Sequence, residues 1–437
     1  MRSVFRLALV AALMGLSACA SFEDTLDTIN PFSEREVPLP GERRSLAGVN
    51  DPTEGVTAQP VSIPGPGGSP EWPLPGGNLS HNPGHVALTG GGGWRVDAGE
   101  STRRIRITAE PVVSGGRAYV YDVNGNVTAV SMSGGGRAWR VALRPEGETS
   151  ASPNGGVAVG EGRVYVATGF GQVVALDPAS GATVWARDLP APALSAPTVA
   201  NGKVFVVSQS NTVHALSAAD GTELWTFRGI PASAGVVGAG APAVEGSTVI
   251  VPFSSGEIAA LNIENGEMRW SDAVTAGARF SAITSLNDVA GHPVVAGGIV
   301  IASGAGGRTI AVNVGSGNRV WETNVGSTNT PIVAGDVIYL IDLQNRFVAM
   351  SRTDGAIRWV QPLPGNEGRD REAWTGPSLA GGSLWAASSE GRLTRADPAT
   401  GQILETRDIG PAVYVQPIAA SGRLLLLAGD GTLIAAN

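Results

Sequence analysis

Short apolar runs separated by polar turns recur along most of the chain, and the clearest example extends from Gly171 to Trp185. Val173 to Leu176 contains no polar residue, which is typical of a strand that is covered on both faces. Asp177 to Gly181 then supplies the residue types that favour a tight turn, and Trp185 follows on the outgoing strand. The pattern predicts a hairpin whose tryptophan acts as a wedge between stacked sheets.

The same pattern returns through the C-terminal three quarters of the chain. Successive copies lie roughly 40 to 50 residues apart, which is the spacing of a repeat architecture. A seventh copy has Glu405 where tryptophan is expected, and an eighth, GTLIAAN, reaches Asn437. The first six copies end at Trp139, Trp185, Trp225, Trp270, Trp321 and Trp359.

Each unit begins with a proline and an extended segment, and a second strand precedes the hairpin. This gives four strands per unit, the number in a propeller blade. The last unit, from Pro417, has three strands, whereas Trp94 to Val96 form an outer strand without a unit of their own. The sequence therefore predicts an all-β fold, an eight-bladed β-propeller over residues 94–437, with the strand near Trp94 completing the C-terminal blade.

The first residues have the features of an export signal. A positively charged start precedes the apolar run Leu7 to Leu16, which is too short to span a bilayer. Leu16 to Cys19 resembles the lipobox of bacterial lipoproteins, which implies a signal peptide at residues 1–18 and a lipid on Cys19. Ala20 follows rather than Asp, and in lipoprotein families this implies sorting to the outer membrane.

Two further segments separate the signal from the propeller. Residues 19–70 are polar and rich in Pro, Gly and Glu, and we interpret them as a flexible tether. Residues 71–93 form a Gly/Pro-rich lead-in, of which we expect the part from Trp72 to His85 to pack loosely on the outside. His81 and His85 have the spacing of metal ligands on a helix, but the Asn, Pro and Gly between them exclude a helix. We interpret both as ordinary surface residues.

Composition and motifs narrow the classes of function. The net charge of -8, with no basic stripe, argues against binding to nucleic acid. Asp122 to Asn126 resembles half of a calcium loop but lacks the distal glutamate, and no P-loop or dinucleotide fingerprint follows a strand. The sequence therefore predicts no catalytic residue, no metal site and no cofactor.

The repeat itself resembles that of a family of enzymes. The form A-L-D-x-x-x-G-x-x-x-W at Ala175 to Trp185 is similar to the repeat of the eight-bladed pyrroloquinoline-quinone dehydrogenases. In that family a vicinal disulfide clamps the quinone and calcium lies beside a catalytic Asp. Cys19 is the one cysteine of this chain, so the disulfide cannot form. A quinone-dependent periplasmic dehydrogenase is an alternative function, as is a propeller that binds sugar or peptidoglycan.

The combination of lipobox, tether and ring resembles the BamB family, lipoproteins of the BAM complex that inserts β-barrels into the outer membrane. Trp72 to Asn78, WPLPGGN, is similar to alphaproteobacterial members. The resemblance implies a noncatalytic scaffold anchored by its lipid at the periplasmic face of the outer membrane. Its implied partner is a POTRA domain of the barrel-inserting subunit, and unfolded outer-membrane proteins are a second candidate.

Two family segments imply where the partner binds. The family's Leu-x-Leu-Arg-Gly falls on Ala234 to Gly238, where Val236 keeps the apolar character and Val237 replaces the arginine. The family's Leu-Ser-Asp-Val-Asp falls on Leu286 to Ala290, where Asp288 matches and the second aspartate is lost. These departures remove one cation and one anion from the expected contact, and plain connecting loops are the alternative. The implied partner-binding residues are Val236, Val237, Gly238, Asn287 and Asp288.

Overall fold

The computed structural model of the protein describes residues 51–68, 70–231, 240–274, 289–365 and 372–436. Every regular element in these ranges is a β-strand, and they contain no helix that could cross a membrane. The 32 described strands form eight antiparallel sheets of four strands each. The eight-bladed β-propeller predicted from the repeat is therefore confirmed, and we number its blades in chain order.

Each blade begins with an inner strand, and the inner strands of neighbouring blades contact one another around a central channel. The other strands lead outward in order. Blades 1 to 4 consist of β2 (Val112–Ser114), β3 (Arg117–Tyr121), β4 (Asn126–Ser131) and β5 (Arg137–Ala142); β6 (Gly155–Gly160), β7 (Arg163–Thr168), β8 (Gln172–Leu176) and β9 (Thr183–Asp188); β10 (Thr198–Ala200), β11 (Lys203–Ser208), β12 (Thr212–Ser217) and β13 (Glu223–Arg228); and β14 (Ala243–Glu245), β15 (Thr248–Pro252), β16 (Glu257–Asn262) and β17 (Met268–Ala273).

The second half of the ring follows the same plan. Blades 5 to 7 consist of β18 (Val294–Ala296), β19 (Ile299–Gly304), β20 (Arg308–Asn313) and β21 (Arg319–Thr323); β22 (Ile332–Ala334), β23 (Val337–Ile341), β24 (Arg346–Ser351) and β25 (Ile357–Pro362); and β26 (Trp374–Ala380), β27 (Ser383–Ser388), β28 (Arg392–Ala396) and β29 (Ile403–Asp408). Blade 8 consists of β30 (Ile418–Ala420), β31 (Arg423–Leu427), β32 (Thr432–Ala436) and β1 (Trp94–Asp97).

The N-terminal strand closes the ring, as the sequence predicted. β1 runs antiparallel to β32, with Trp94 opposite Ala435 and Asp97 opposite Thr432. The first and last strands of the propeller are therefore hydrogen-bonded within one sheet. The ring cannot open without breaking this pair, so closure restrains all eight blades at once.

A tryptophan lies opposite an alanine at the same place in seven blades. In blade 2, Trp185 on β9 faces Ala175 on β8, and the register shifts at the next residue, Leu176. The small alanine leaves room for the indole, which explains the alanine of the sequence repeat. The other pairs are Ala129–Trp139, Ala215–Trp225, Ala260–Trp270, Ala311–Trp321, Ala349–Trp359 and, in blade 8, Ala435–Trp94.

The tryptophans also pack on a turn glycine of the next blade, which confirms the predicted wedge. The indole Nε1–H of Trp185 donates to the carbonyl of Ala218 in blade 3 at 3.1 Å, and its ring covers Gly221. Gly221 has a φ of 74°, a left-handed conformation that favours glycine. The equivalent pairs are Trp94 on Gly135, Trp139 on Gly181, Trp225 on Gly266, Trp270 on Gly317, Trp321 on Gly355 and Trp359 on Gly401.

Glu405 departs from the tryptophan pattern at the junction of blades 7 and 8. In blade 8 the outer strand β1 and its neighbour β32 come from distant parts of the chain, so no glycine turn joins them. A tryptophan at position 405 in blade 7 would therefore have no glycine turn to pack on, unlike the tryptophans of the other blades. Glu405 instead lies opposite Arg395 on the neighbouring strand and pairs with it at 2.9 Å.

The described hydrophobic core is divided into eight clusters, one between each pair of neighbouring blades. Between blades 3 and 4, for example, Phe205 and Trp225 pack with Phe253 and Leu261. Each blade is thus covered on both faces, which explains why its inner three strands have apolar side chains on both sides. Because a blade packs only on its two neighbours, about 340 residues can form one ring without one very large core.

The lead-in lies inside the ring. Trp72 and His81 are buried, with 3% and 0% of their surface exposed, and Trp72 pairs with Val113 on the inner strand of blade 1. We call residues 70–89 the collar. The expectation that this segment packs loosely outside, with His81 on the surface, is wrong. The free edges of the inner strands offer the segment hydrogen bonds that it cannot make within itself.

The collar spans the channel from one side to the other. After its pairing with blade 1 it reaches blades 2, 4 and 5, and Val86 then bridges to Ala380 of blade 7. Blades 1 and 5 are opposite each other in a ring of eight, so the collar crosses the full width of the channel. Its carbonyls at Pro73, Leu79 and Ser80 accept hydrogen bonds from the amides of Val159, Val244 and Val295.

The segment before the collar lies against blades 6 and 7. The amide of Gln59 donates to the carbonyl of Arg358 at 2.7 Å, and the amide of Val61 donates to that of Ala399 at 2.9 Å. Val61 and Ile63 pack against the core cluster between the same two blades. Within the residues interpreted as a tether, those after position 58 thus make specific contacts with the ring.

Candidate functional site

A cavity of about 320 Å3 lies at the end of the channel where the inner strands begin. The chain segments that lead into the inner strands of seven blades form its wall, together with Pro75 of the collar. The polar or ionisable side chains among its lining residues are Thr108, Glu110, Ser195, His292, Thr328, Asn329, Thr330, Thr375, Tyr414 and Gln416. Pro75 belongs to the collar, which crosses the channel, and we call this cavity the blind pocket.

Glu110 and His292 meet across the channel. They precede the inner strands of blades 1 and 5, which are opposite each other, and His292 Nε2 lies 3.1 Å from Glu110 Oε1. The Nδ1 atom of His292 accepts a hydrogen bond from the amide of Ala241 at 2.7 Å. Nδ1 therefore carries a lone pair, so the proton of the neutral ring is on Nε2 and is donated to the carboxylate.

The second oxygen of Glu110 binds the collar. Oε2 accepts a hydrogen bond from the amide of Gly76 at 2.9 Å. Burial raises the pKa of Glu110, but the hydrogen bonds that it accepts from His292 and Gly76 favour the charged form and leave the pKa below its ordinary value. Glu110 is therefore a carboxylate at neutral pH, and its side chain keeps 13% exposure at the cavity wall.

His81 lies on the collar directly beside this pair. Its ring is 4.7 Å from that of His292, and its Nδ1 lies 2.9 Å from the carbonyl oxygen of Pro293. A carbonyl accepts only, so Nδ1 carries the proton and Nε2 is left with a lone pair, which is buried without a hydrogen-bond partner. Burial lowers the pKa of His81 well below its ordinary value, so the ring is neutral.

The residues proposed from the sequence for lipidation and partner binding lie outside the described ranges. Cys19, Val236, Val237, Gly238, Asn287 and Asp288 all fall there. The described chain resumes at Gly240 after the first partner-binding segment and at Val289 within the second. The amide of Gly240 donates to the carbonyl of Val289 at 3.5 Å, and Ala290 lines the cavity. The two points at which the described chain resumes thus lie next to each other, beside the pocket.

The sequence reasoning missed Glu110 and His292, although the repeat contains a signal that finds them. Each is the residue before the proline that opens its blade, and this position lies at the cavity in several blades. A comparison of the pre-proline residues across the repeat would have placed one acid and one histidine at the same end of the channel. The pre-proline residues that line the cavity are Glu110, Ala196, His292, Thr330 and Gln416.

Comparison with known proteins identifies the family. The family model described as "Outer membrane protein assembly factor BamB" matches residues 84–153 and 123–361. The chain belongs to the BamB family. The outer membrane protein assembly factor BamB of Salmonella typhimurium is 30% identical over 347 residues, which cover 78% of this chain and 87% of that relative. BamB of Escherichia coli K12 is 30% identical over 345 residues, with the same coverage.

Solved structures share the fold at lower sequence identity. BamB from Moraxella catarrhalis superimposes with a TM-score of 0.64 and 21% identity, covering 80% of this chain and 99% of that one. The quinohemoprotein alcohol dehydrogenase from Comamonas testosteroni gives a TM-score of 0.63 and 16% identity, covering 84% of this chain and 80% of that one. Both support the eight-bladed architecture, and the fold by itself does not distinguish a scaffold from an enzyme.

Proposed function

We propose that the protein is a noncatalytic scaffold lipoprotein of the machinery that assembles β-barrels in the outer membrane. The observation that carries this proposal is the match with relatives named as outer membrane protein assembly factors, at 30% identity over 87% of their length. A lipid on Cys19 anchors the protein at the periplasmic face of the outer membrane. The propeller docks a POTRA domain of the barrel-inserting subunit and holds it for insertion of outer-membrane proteins.

The docking surface that we propose lies on the face with the blind pocket. The two partner-binding segments, 234–238 and 286–290, rejoin the ring where Gly240 and Val289 are hydrogen-bonded to each other. This proximity supports a joint surface in which Val236 supplies apolar contact and Asp288 supplies charge complementarity.

Co-purification tests both the partner and the surface. The full lipidated chain is extracted in mild detergent, and recovery of the barrel-inserting subunit is measured for wild type and for Asp288→Arg. Glu267→Arg is the matched control, because Glu267 is exposed in the turn between β16 and β17, at the opposite end of the ring. We expect Asp288→Arg alone to reduce recovery. Equal recovery with both variants would refute the surface, and no recovery with wild type would refute the function.

The anchor has its own test. We expect Cys19→Ala to move the protein from the outer-membrane fraction to the soluble periplasmic fraction, since one acyl-bearing residue supplies the membrane attachment. Ser21→Ala, two residues away, is the control that leaves the lipobox intact. Retention of Cys19→Ala in the outer membrane after a high-salt wash would contradict lipid anchoring.

The absence of catalysis is also part of the proposal. In the pocket, the Nε2–H of His292 donates a hydrogen bond to the carboxylate of Glu110, and Nδ1 of His292 accepts a hydrogen bond from the amide of Ala241. The pair therefore links blades across the channel, and neither ring nitrogen of His292 is left as a base. A spectroscopic titration with pyrroloquinoline quinone tests the alternative, and saturable binding at micromolar concentration would restore the dehydrogenase hypothesis.

A further inference from the structure

The blind pocket carries negative charge without a lining cation among the described residues. Glu110 is a carboxylate, His292 is neutral because its Nδ1 accepts a hydrogen bond, and no described lining residue is Lys or Arg. In a semi-enclosed site with protein walls, an unbalanced charge attracts counter-ions more strongly than at an open surface. The electrostatics of the pocket therefore favour a positively charged ligand.

Glu110 retains capacity to bind such a ligand. The indole of Trp72 also interacts with the Glu110 carboxylate. A carboxylate offers about four lone-pair positions; Oε1 of Glu110 accepts a hydrogen bond from His292, and Oε2 accepts one from Gly76. These two bonds fix the carboxylate in place, so a ligand meets a preorganised acceptor and loses little of its binding energy in ordering it. Gln416 adds a neutral acceptor. Its Nε2 donates to the carbonyl of Pro377 at 2.6 Å, which leaves its amide oxygen available at the wall.

The volume selects a ligand of modest size. At about 320 Å3, the pocket is at the lower end of the range of small-ligand sites, roughly 300 to 1,000 Å3. It has room for one long side chain and its head group, and the collar at Pro75 blocks deeper entry. Ala290 lines the pocket, and the neighbouring Val289 accepts a hydrogen bond from Gly240, the first described residue after the other proposed docking segment. A side chain that projects from a docked protein on this face could therefore enter the pocket.

We propose that the pocket binds a single basic side chain, an arginine or a lysine, presented by the protein that docks on this face. The guanidinium or ammonium group donates to Glu110 and Gln416, and the aliphatic stem lies against the wall. The chemistry of the pocket rests on the contacts above, and the source of the side chain rests on the proposed docking function. The pocket adjoins segment 286–290, with which it shares Ala290, and its acceptors Glu110 and Gln416 would add a central anchor to the two docking segments.

The chemistry of the pocket is tested with a small probe. Binding of ethylguanidinium to the full lipidated chain in detergent is measured by calorimetry, with ethylurea as a neutral probe of the same shape. We expect saturable binding of ethylguanidinium alone, weakened by salt. Glu110→Gln should reduce its affinity about tenfold or more, because a charge-assisted hydrogen bond is lost. No saturable binding, equal binding of ethylurea, or binding of calcium in preference to ethylguanidinium would overturn the proposal.

A second set of variants keeps the test valid if Glu110→Gln fails to fold. Thr328 is an exposed residue at the pocket wall, so substitutions there spare the core. We expect Thr328→Glu to raise the affinity for ethylguanidinium several-fold and Thr328→Lys to lower it, with Thr328→Gln as the neutral control. The same affinity in all three variants would overturn the electrostatic assignment.

The source of the side chain is tested by co-purification with the same variants. We expect Thr328→Lys to reduce recovery of the barrel-inserting subunit and Thr328→Gln to leave it unchanged. If wild type binds ethylguanidinium but Thr328→Lys recovers as much barrel-inserting subunit as wild type does, the subunit is not the source of the basic side chain. Failure of wild type to recover the subunit would instead refute the proposed function, while the probe experiment would still decide the chemistry of the pocket.

Discussion

Trp225 of blade 3 and Gly266 of blade 4 are packed so closely that a Cβ atom at Gly266 would lie 2.6 Å from Cε3 of the indole. Gly266 also has a φ of 73°, in the left-handed region. Two separate requirements, backbone conformation and close approach, therefore select glycine at this position. The same relationship recurs around the ring and joins the blades to one another.

Gly266→Ala should destabilise the protein more than an alanine at an open left-handed glycine. The change adds a steric collision with Trp225 to the conformational cost, and we expect a loss of roughly 2 to 5 kcal/mol in the free energy of unfolding. Gly202→Ala is the matched control, since Gly202 has a φ of 69° with no atom within 4 Å of the added Cβ. It should cost about 1 to 2 kcal/mol. Urea unfolding measures both, and equal losses would contradict the packing argument.

Introducing the tryptophan of the other repeats at position 405 should not stabilise the ring. Glu405 lies beside blade 8, where no glycine turn joins β32 to β1, so an added indole has no turn to cover. Glu405→Trp would also break the partly exposed pair with Arg395, and such pairs contribute about 0 to 1 kcal/mol. We expect a change within about 1 kcal/mol, against a loss of about 3 to 5 kcal/mol for Trp359→Ala. A clear gain in melting temperature with Glu405→Trp would contradict this account.

The sequence predicts the ring well and the pocket poorly, for physical reasons. Strands and blade junctions repeat, so each copy of a motif such as that ending at Trp185 reinforces the others, and closure by Trp94 follows from counting strands. The pocket arises from single departures within the repeat, namely Glu110 and His292. The collar was misplaced because a Gly/Pro-rich segment has no periodicity, and its position is set by the free edges of distant strands.

The buried imidazole of His81 should make the protein less stable in mild acid. The unfolded chain takes up a proton on this residue near pH 6.5, whereas the folded chain, in which the pKa of His81 is much lower, does not. Below about pH 6.5 the unfolded state therefore binds more protons, and the free energy of unfolding falls as the pH falls, by up to about 1.4 kcal/mol per pH unit. Urea unfolding between pH 7.5 and 5 measures the slope.

His81→Asn isolates the contribution of the imidazole to that slope. The amide nitrogen of Asn can replace Nδ1 as the donor to the carbonyl of Pro293, and Asn tolerates the positive φ of 52° at this position. The variant does not titrate, so we expect a smaller loss of stability between pH 7.5 and 5 than in wild type. Protonation of Glu110 also lowers the free energy of unfolding, but it begins at a more acidic pH than that of His81, because Glu110 is a carboxyl whose pKa lies below its ordinary value. An unchanged slope in His81→Asn would assign the acid sensitivity to other groups.

Trp72 should hold the collar in the channel. Its side chain is 3% exposed within the core cluster between blades 8 and 1, and its backbone exchanges two hydrogen bonds with Val113, at 2.8 and 2.7 Å. Trp72→Ala removes the buried indole at a cost of about 3 to 5 kcal/mol and leaves the backbone bonds without the packing that positions them. We expect local release of the collar, with faster hydrogen exchange in peptides that cover β2.

Peptides from β4, inside the same blade, are the internal control and should keep their protection, because their hydrogen bonds do not involve the collar. Equal acceleration in β2 and β4 would show that the whole blade is destabilised and would contradict a specific role of Trp72 in seating the collar.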